Sequence, residues 1–110
     1  LRYLQDKLQL THIRHSVPIS KPIKKVALCG GSGIFLLSEA IQQGADAFVT
    51  ADVKYHSFFD AAGKLLLADI GHYESEVVIK ELIYSKLSKK FSNIACVKSV
   101  TRTNPVYYFA

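Results

Sequence analysis

His72 and Glu76 lie four positions apart, just after the apolar run Leu65 to Ala68 and the turn Asp69-Ile70-Gly71. If a helix starts near His72, the two side chains project from one face of its first turn. An imidazole nitrogen and a carboxylate oxygen held that way suit two ligands of one zinc, iron or manganese ion. A second reading stands beside it. Glu74 and Glu76 fall in a first helical turn, where the helix dipole favours acidic residues, so an ordinary exposed His/Glu pair satisfies the same spacing.

Two further clusters carry residue types that do chemistry. Gly30-Gly31-Ser32-Gly33 follows an apolar run and precedes a helical pattern, a geometry that presents backbone N–H groups to a phosphate or carboxylate. It lacks the full dinucleotide fingerprint and the lysine of a P-loop, and a tight strand-to-helix turn needs glycine for steric reasons alone. Anion binding and turn geometry therefore both remain open. Thr50-Ala51-Asp52-Val53-Lys54-Tyr55-His56 is the other cluster. Asp52 caps the next helix or reaches a substrate or metal-bound water. His56, one turn later, is a surface or interior histidine or a proton carrier.

The elements that position these clusters are set by periodicity. Leu1, Leu4 and Leu8 have helical spacing, and Thr11 to Ser16 alternates as a short strand, with His12 and His15 on opposite faces. Pro18 and Pro22 make 17–22 a loop or an edge connection. Lys24 to Cys29 reads as a strand covered on both faces, and Ile34 to Ile41 as a helix stopped by Gly44. Ala45 to Val49 is the next strand, Val53 to Ala62 a helix, and Leu65 to Asp69 a third fully apolar strand. A long helix then runs from His72, with Val78, Leu82, Leu87 and Phe91 on its buried face. Ile94 to Val97 is expected as a fourth parallel strand, and Val106 to Phe109 as an apolar tail that adds a strand or packs on the sheet. The alternation specifies an α/β fold, a mostly parallel sheet with helices on both faces. All three polar clusters then fall at strand C-termini, where open α/β sheets bind ligands.

Composition limits the alternatives. With 110 residues, 49% of them apolar, the chain is one domain or part of one, with enough apolar content for a core. No run is long enough to span a bilayer and no signal peptide opens the sequence, so a cytoplasmic location is expected. Cys29 and Cys96 sit in apolar runs and read as free thiols. The net charge of +5 comes with short lysine groups and no aromatic stacking motif, which argues against nucleic acid as partner. There is no methionine, and the chain begins inside a helical pattern, so a piece of a longer protein is expected.

Taken together, Val26 to Gly33, Gly44-Ala45-Asp46, Thr50 to His56, Gly71 to Glu76 and Thr103-Asn104-Pro105 resemble the GTP cyclohydrolase I type 2 homolog family, the Nif-three-like dinuclear metal proteins. The resemblance covers nearly the whole chain and places it in the C-terminal half of such a protein. It implies a two-lobed α/β fold with two divalent metal ions in a cleft between the lobes, and homo-oligomeric rings, usually hexamers. His72 and Glu76 match the family's C-terminal ligand pair, and Asp52 and His56 match polar residues of the same cleft. The family's adjacent histidine pair is absent here, so the metal site is expected to be incomplete. Ala51 replaces a glycine common in the family.

Three functions fit these residues. One is a metal-dependent hydrolase, with GTP the substrate implied by the family name and phosphoesters the alternative, and with the glycine-rich turn receiving phosphate. Another is a metal-stabilised oligomer whose ring recruits partners or nucleic acid without turnover. The third is a plain nucleotide-binding α/β module, whose binding would survive chelators.

Overall fold

A computed structural model describes residues 1–109. They form two compact units, 1–76 and 77–110, with the last residue outside the described part.

The first unit holds a four-stranded sheet. In chain order it comprises α1 (Arg2–Leu8), β1 (Arg14–His15), β2 (Val26–Leu28), a 3₁₀ turn (Ile34–Leu36), α2 (Leu37–Gln42), β3 (Ala47–Thr50), α3 (Tyr55–Ala61), β4 (Leu66–Asp69) and α4 (His72–Glu76). The strand order is β1-β4-β3-β2. β2, β3 and β4 are parallel, with Ala47 beside both Val26 and Leu66, and β1 closes the far edge antiparallel to β4.

β3 and β4 are central, and every residue in both is buried. Side chains alternate across them. Phe48 and Leu67 face one side, where they pack with Leu37 and Ala40 of α2, Ala61 of α3, and Val53. Val49 and Ala68 face the other, under Leu4 and Leu8 of α1 and Leu10. Helices thus cover both faces, as the alternating pattern requires. The α2 stop is a Schellman arrangement: Gly44 takes φ +71°, its N–H donates to the Ile41 carbonyl, and the Ala45 N–H donates to the Ala40 carbonyl.

Five expectations change. β2 is an outer strand rather than a doubly covered one: it pairs with β3 alone, Val26 and Leu28 are exposed and only Ala27 is half-buried. The long helix from His72 is interrupted at Val77 and Val78, two consecutive β-branched residues, and resumes as α5 (Ile79–Lys90) in the second unit. Its expected buried stripe, Val78, Leu82, Leu87 and Phe91, remains partly exposed at 39–51%, since none of the described residues covers it fully. Ile94 to Val97 forms no strand either. That segment runs back along α5, where Lys98 pairs with Glu81 and the Lys80 ammonium donates to the Ser99 carbonyl. Val106 to Phe109 likewise adds no strand and is exposed. Cys29 and Cys96 are free and half-buried, and His12 and His15 are exposed.

Asp46 ties the proline-containing loop to the start of β3. Its Oδ1 lies 2.6 Å from Lys21 Nζ, and its Oδ2 accepts the Lys24 and Lys25 N–H groups at 2.9 Å. The Lys21 hydrogen bond, followed by those two backbone donors, holds the Asp46 carboxyl well below the usual carboxylate range. A depressed folded pKa stabilises the fold above the unfolded value of about 4 and ceases to do so as pH falls through the folded value. Asp46→Asn should therefore lower the melting temperature at neutral pH and flatten its decline below about pH 4. Thermal melts of both proteins across pH check this; parallel curves would contradict it.

Candidate metal centre

Three turns at the C-terminal ends of β2, β3 and β4 meet at one edge of the first unit. The turn after β4 is shaped by Asp69, whose Oδ1 accepts the Gly71 N–H at 3.1 Å while Gly71 takes φ +88°. α4 starts at once with His72, and Glu76 follows one turn later. The spacing puts the two groups together: His72 Nε2 and Glu76 Oε2 are 3.3 Å apart, with both side chains about half exposed.

Asp52 completes the group. Its Oδ2 lies 2.6 Å from His72 Nδ1. The side chain does not cap α3, whose N-cap residue is Lys54 with no side-chain bond, so the capping reading gives way to a contact across the sheet edge. Asp52 also adopts φ +55°, in the left-handed region that residues other than glycine rarely enter. Its neighbours fix it there. The Ala51 N–H donates to the Gly31 carbonyl, and the Val53 N–H donates to Asp69 Oδ2. Arg14, reaching in from β1, donates to both Asp69 Oδ2 and the Val53 carbonyl.

The glycine-rich turn forms the adjoining wall. The Gly31 N–H donates to Ser75 Oγ at 2.8 Å, and Ser75 Oγ in turn donates to the His72 carbonyl. The Gly33 N–H donates to buried Thr50 Oγ1, which donates to the Gly31 carbonyl. Two of the N–H groups expected to receive an anion are thus engaged by the protein itself. Gly31 is bare for a steric reason: a Cβ there would lie 2.6 Å from Glu76 Oε1 and 3.4 Å from His72 Nε2. Gly30 and Ser32 belong to the same turn.

His56 is not brought into this group. It is exposed on α3, with its ring 5.3 Å from Tyr55 and 6.5 Å from Phe59. Asp69, Thr50 and Ser75, inside the stretches already named, and Arg14, outside them, do enter it. Asp69 leaves one signal, an acidic residue ending an otherwise apolar strand.

Charge concentrates on one ring. The Asp52 hydrogen bond first, then the Asp52 and Glu76 charges, raise the His72 pKa above the ordinary imidazole value. Two carboxylates against one ring make the local potential negative, which a cation would also feel. The spacing fits one as well. Two ligands about 2.0–2.2 Å from a tetrahedral ion stand roughly 3.3–3.5 Å from each other, and Nε2 and Oε2 are 3.3 Å apart. Among the described residues no cluster of three or more His, Cys, Asp or Glu side chains is suited to hold a metal. The chain offers a pair of donors, not a full coordination shell.

Known proteins share this arrangement of elements. The solved structure of Staphylococcus aureus hypothetical protein SA1388 superimposes with a TM-score of 0.86 at 37% identity, covering 96% of this chain and 37% of that one. A Bacillus cereus protein related to NIF3 gives a TM-score of 0.86 at 27% identity, covering 98% of this chain and 31% of that one. The GTP cyclohydrolase 1 type 2 homolog of Staphylococcus aureus strain MSSA476 is 39% identical over 96% of this chain. The chain spans about 30% of that relative's length. Residues 1–105 match the model of the family described as Duf34/NIF3 (NGG1p interacting factor 3), and the chain belongs to that family.

Proposed function

We propose that this chain supplies one side of a divalent-metal site in a metal-dependent hydrolase. The supporting observation is the 3.3 Å approach of His72 Nε2 to Glu76 Oε2 on a half-exposed face, with Asp52 against the other ring nitrogen. His72 and Glu76 are the holding pair. Zinc, iron and manganese all accept this donor set. The ion's contribution when bound is Lewis acidity, which polarises a substrate oxygen and acidifies a water molecule. Asp52 orients the imidazole, and the bare Gly31 Cα leaves room for the Glu76 carboxylate beside it. The remaining donors, including those of a second ion, come from outside these residues. Nucleotides, GTP among them, and phosphoesters are the proposed substrate class. Ring assembly and a cytoplasmic location accompany this reading.

A non-enzymatic, metal-stabilised assembly is the second reading. It draws support from the apolar side chains left exposed on α5 and β2, among them Leu28, Ile79, Leu82 and Ile83.

Two measurements check the proposal. The 110-residue chain, loaded with zinc and then desalted, should retain well under one equivalent, because two protein ligands hold zinc poorly against water. Tight stoichiometric zinc would contradict the two-donor site. A metal-loaded chain of the relatives' full length should hydrolyse GTP, another nucleotide or a phosphoester, and His72→Ala should abolish that turnover. Absence of turnover, with assembly lost in His72→Ala, would overturn the hydrolase in favour of the assembly reading.

A further inference from the structure

We propose that Asp52 is a positioning residue that holds the neutral His72 ring as its Nδ1–H tautomer, leaving the Nε2 lone pair bare beside Glu76. A free neutral histidine prefers its proton on Nε2, the nitrogen that here faces Glu76. A carboxylate only accepts hydrogen bonds, so Asp52 Oδ2 draws a proton to Nδ1 and Glu76 Oε2 draws one to Nε2, but Asp52 stands at 2.6 Å and Glu76 at 3.3 Å, so the single proton of the neutral ring goes to Nδ1. On the opposite side of the ring, a bare Nε2 is the form able to donate a lone pair to a cation.

The backbone around Asp52 is built to maintain that contact. A left-handed φ is uncommon outside glycine, although Asp tolerates it better than most residues, and the surroundings hold it in place here. Here the enforcement is visible on both sides. Ala51 is held to the Gly31 carbonyl. Val53 is held through both its backbone groups, the N–H by Asp69 and the carbonyl by Arg14. Arg14 is on β1 and Asp69 ends β4, so two strands fix the backbone from which Asp52 reaches His72. Glycine would adopt the same φ without strain and would serve a purely structural turn better. The carboxylate that stands there is bonded to the ring.

The proposal rests on the metal-site reading for its consequence, but the tautomer is measurable without metal. The test uses the metal-free 110-residue chain and its Asp52→Gly variant with 15N-labelled histidine, with the pH raised until the His72 nitrogen shifts stop changing. Long-range proton–nitrogen NMR spectra report which nitrogen carries the proton. In the unaltered chain His72 should be protonated on Nδ1. In Asp52→Gly it should shift mainly to Nε2, while the melting temperature stays level or rises. Zinc titrated onto the same samples should bind the variant more weakly by about tenfold or more. A proton on Nε2 in the unaltered chain, or on Nδ1 in both proteins, would overturn the proposal. A lower melting temperature with no change of tautomer would show Asp52 to be structural and overturn it as well. His72→Ala separates the two readings: if zinc binding survives that substitution, the metal-site reading fails whatever the tautomer does.

Discussion

Gly31→Ala should weaken zinc binding by roughly 100-fold, the upper end of the loss seen when the support of a ligand is disturbed, although no donor atom is removed. A methyl group at this position would lie 2.6 Å from Glu76 Oε1. A glutamate is long and flexible, so the carboxylate would swing aside at little cost to the fold. The cost to the site is much larger, because Oε2 would no longer lie within reach of an ion on His72 Nε2. Gly44→Ala is the matching control. Gly44 has φ +71° against +64° at Gly31, so both substitutions carry similar backbone strain, yet a Cβ at Gly44 meets nothing within 4 Å. Each variant should lose about 1 kcal/mol or somewhat more of stability, and only Gly31→Ala should lose zinc. Isothermal titration of both variants against the unaltered chain checks this. Equal zinc affinities in the two would show that the bare Cα has no part in the site.

Asp69→Ala should destabilise the first unit by about 2–4 kcal/mol, from two backbone N–H groups that lose their acceptor. The residue is 6% exposed and accepts hydrogen bonds from Arg14, Val53 and Gly71. Without it the buried Val53 N–H has no acceptor, which alone costs about 1–3 kcal/mol. The turn before His72 also loses its Asx bond. The Arg14 side chain is 60% exposed and can turn to water, which keeps the loss toward the lower end of that range. Chemical denaturation would measure the difference. A change under about 1 kcal/mol would mean that the Arg14–Asp69–Val53 group is not what holds the two turns in place.

Gly31 and Asp69 both lie in stretches that the sequence singles out, but their contacts, with Glu76 and with Arg14 and Val53, are not legible there. His72 and Glu76 are legible because both ligands lie within one helical turn, and the helix fixes their relative positions. β3 and β4 are legible because burial on both faces leaves continuous apolar runs. Arg14 and Asp69 are 55 positions apart, and no local pattern indicates that they meet. The 20 positions between Asp52 and His72 hide their contact in the same way, so the helix-cap reading of Asp52 has the stronger local support. Errors in the elements have a comparable origin. The Val26 to Leu28 run predicts a strand correctly, but apolar content does not reveal whether a helix lies above it. Ile94 to Val97 has strand composition without a neighbouring strand to complete its ladder, and it runs beside α5 instead. In α5 the apolar stripe has the right period, but period does not supply an opposing surface.

Anomalous diffraction at the zinc edge, from crystals of this chain soaked in zinc, would locate an ion independently of any assay. The geometry predicts a peak between His72 Nε2 and Glu76 Oε2, about 2.0–2.2 Å from each, with Asp52 still bonded to Nδ1. A zinc peak elsewhere on the chain, with those two side chains turned away from each other, would contradict it.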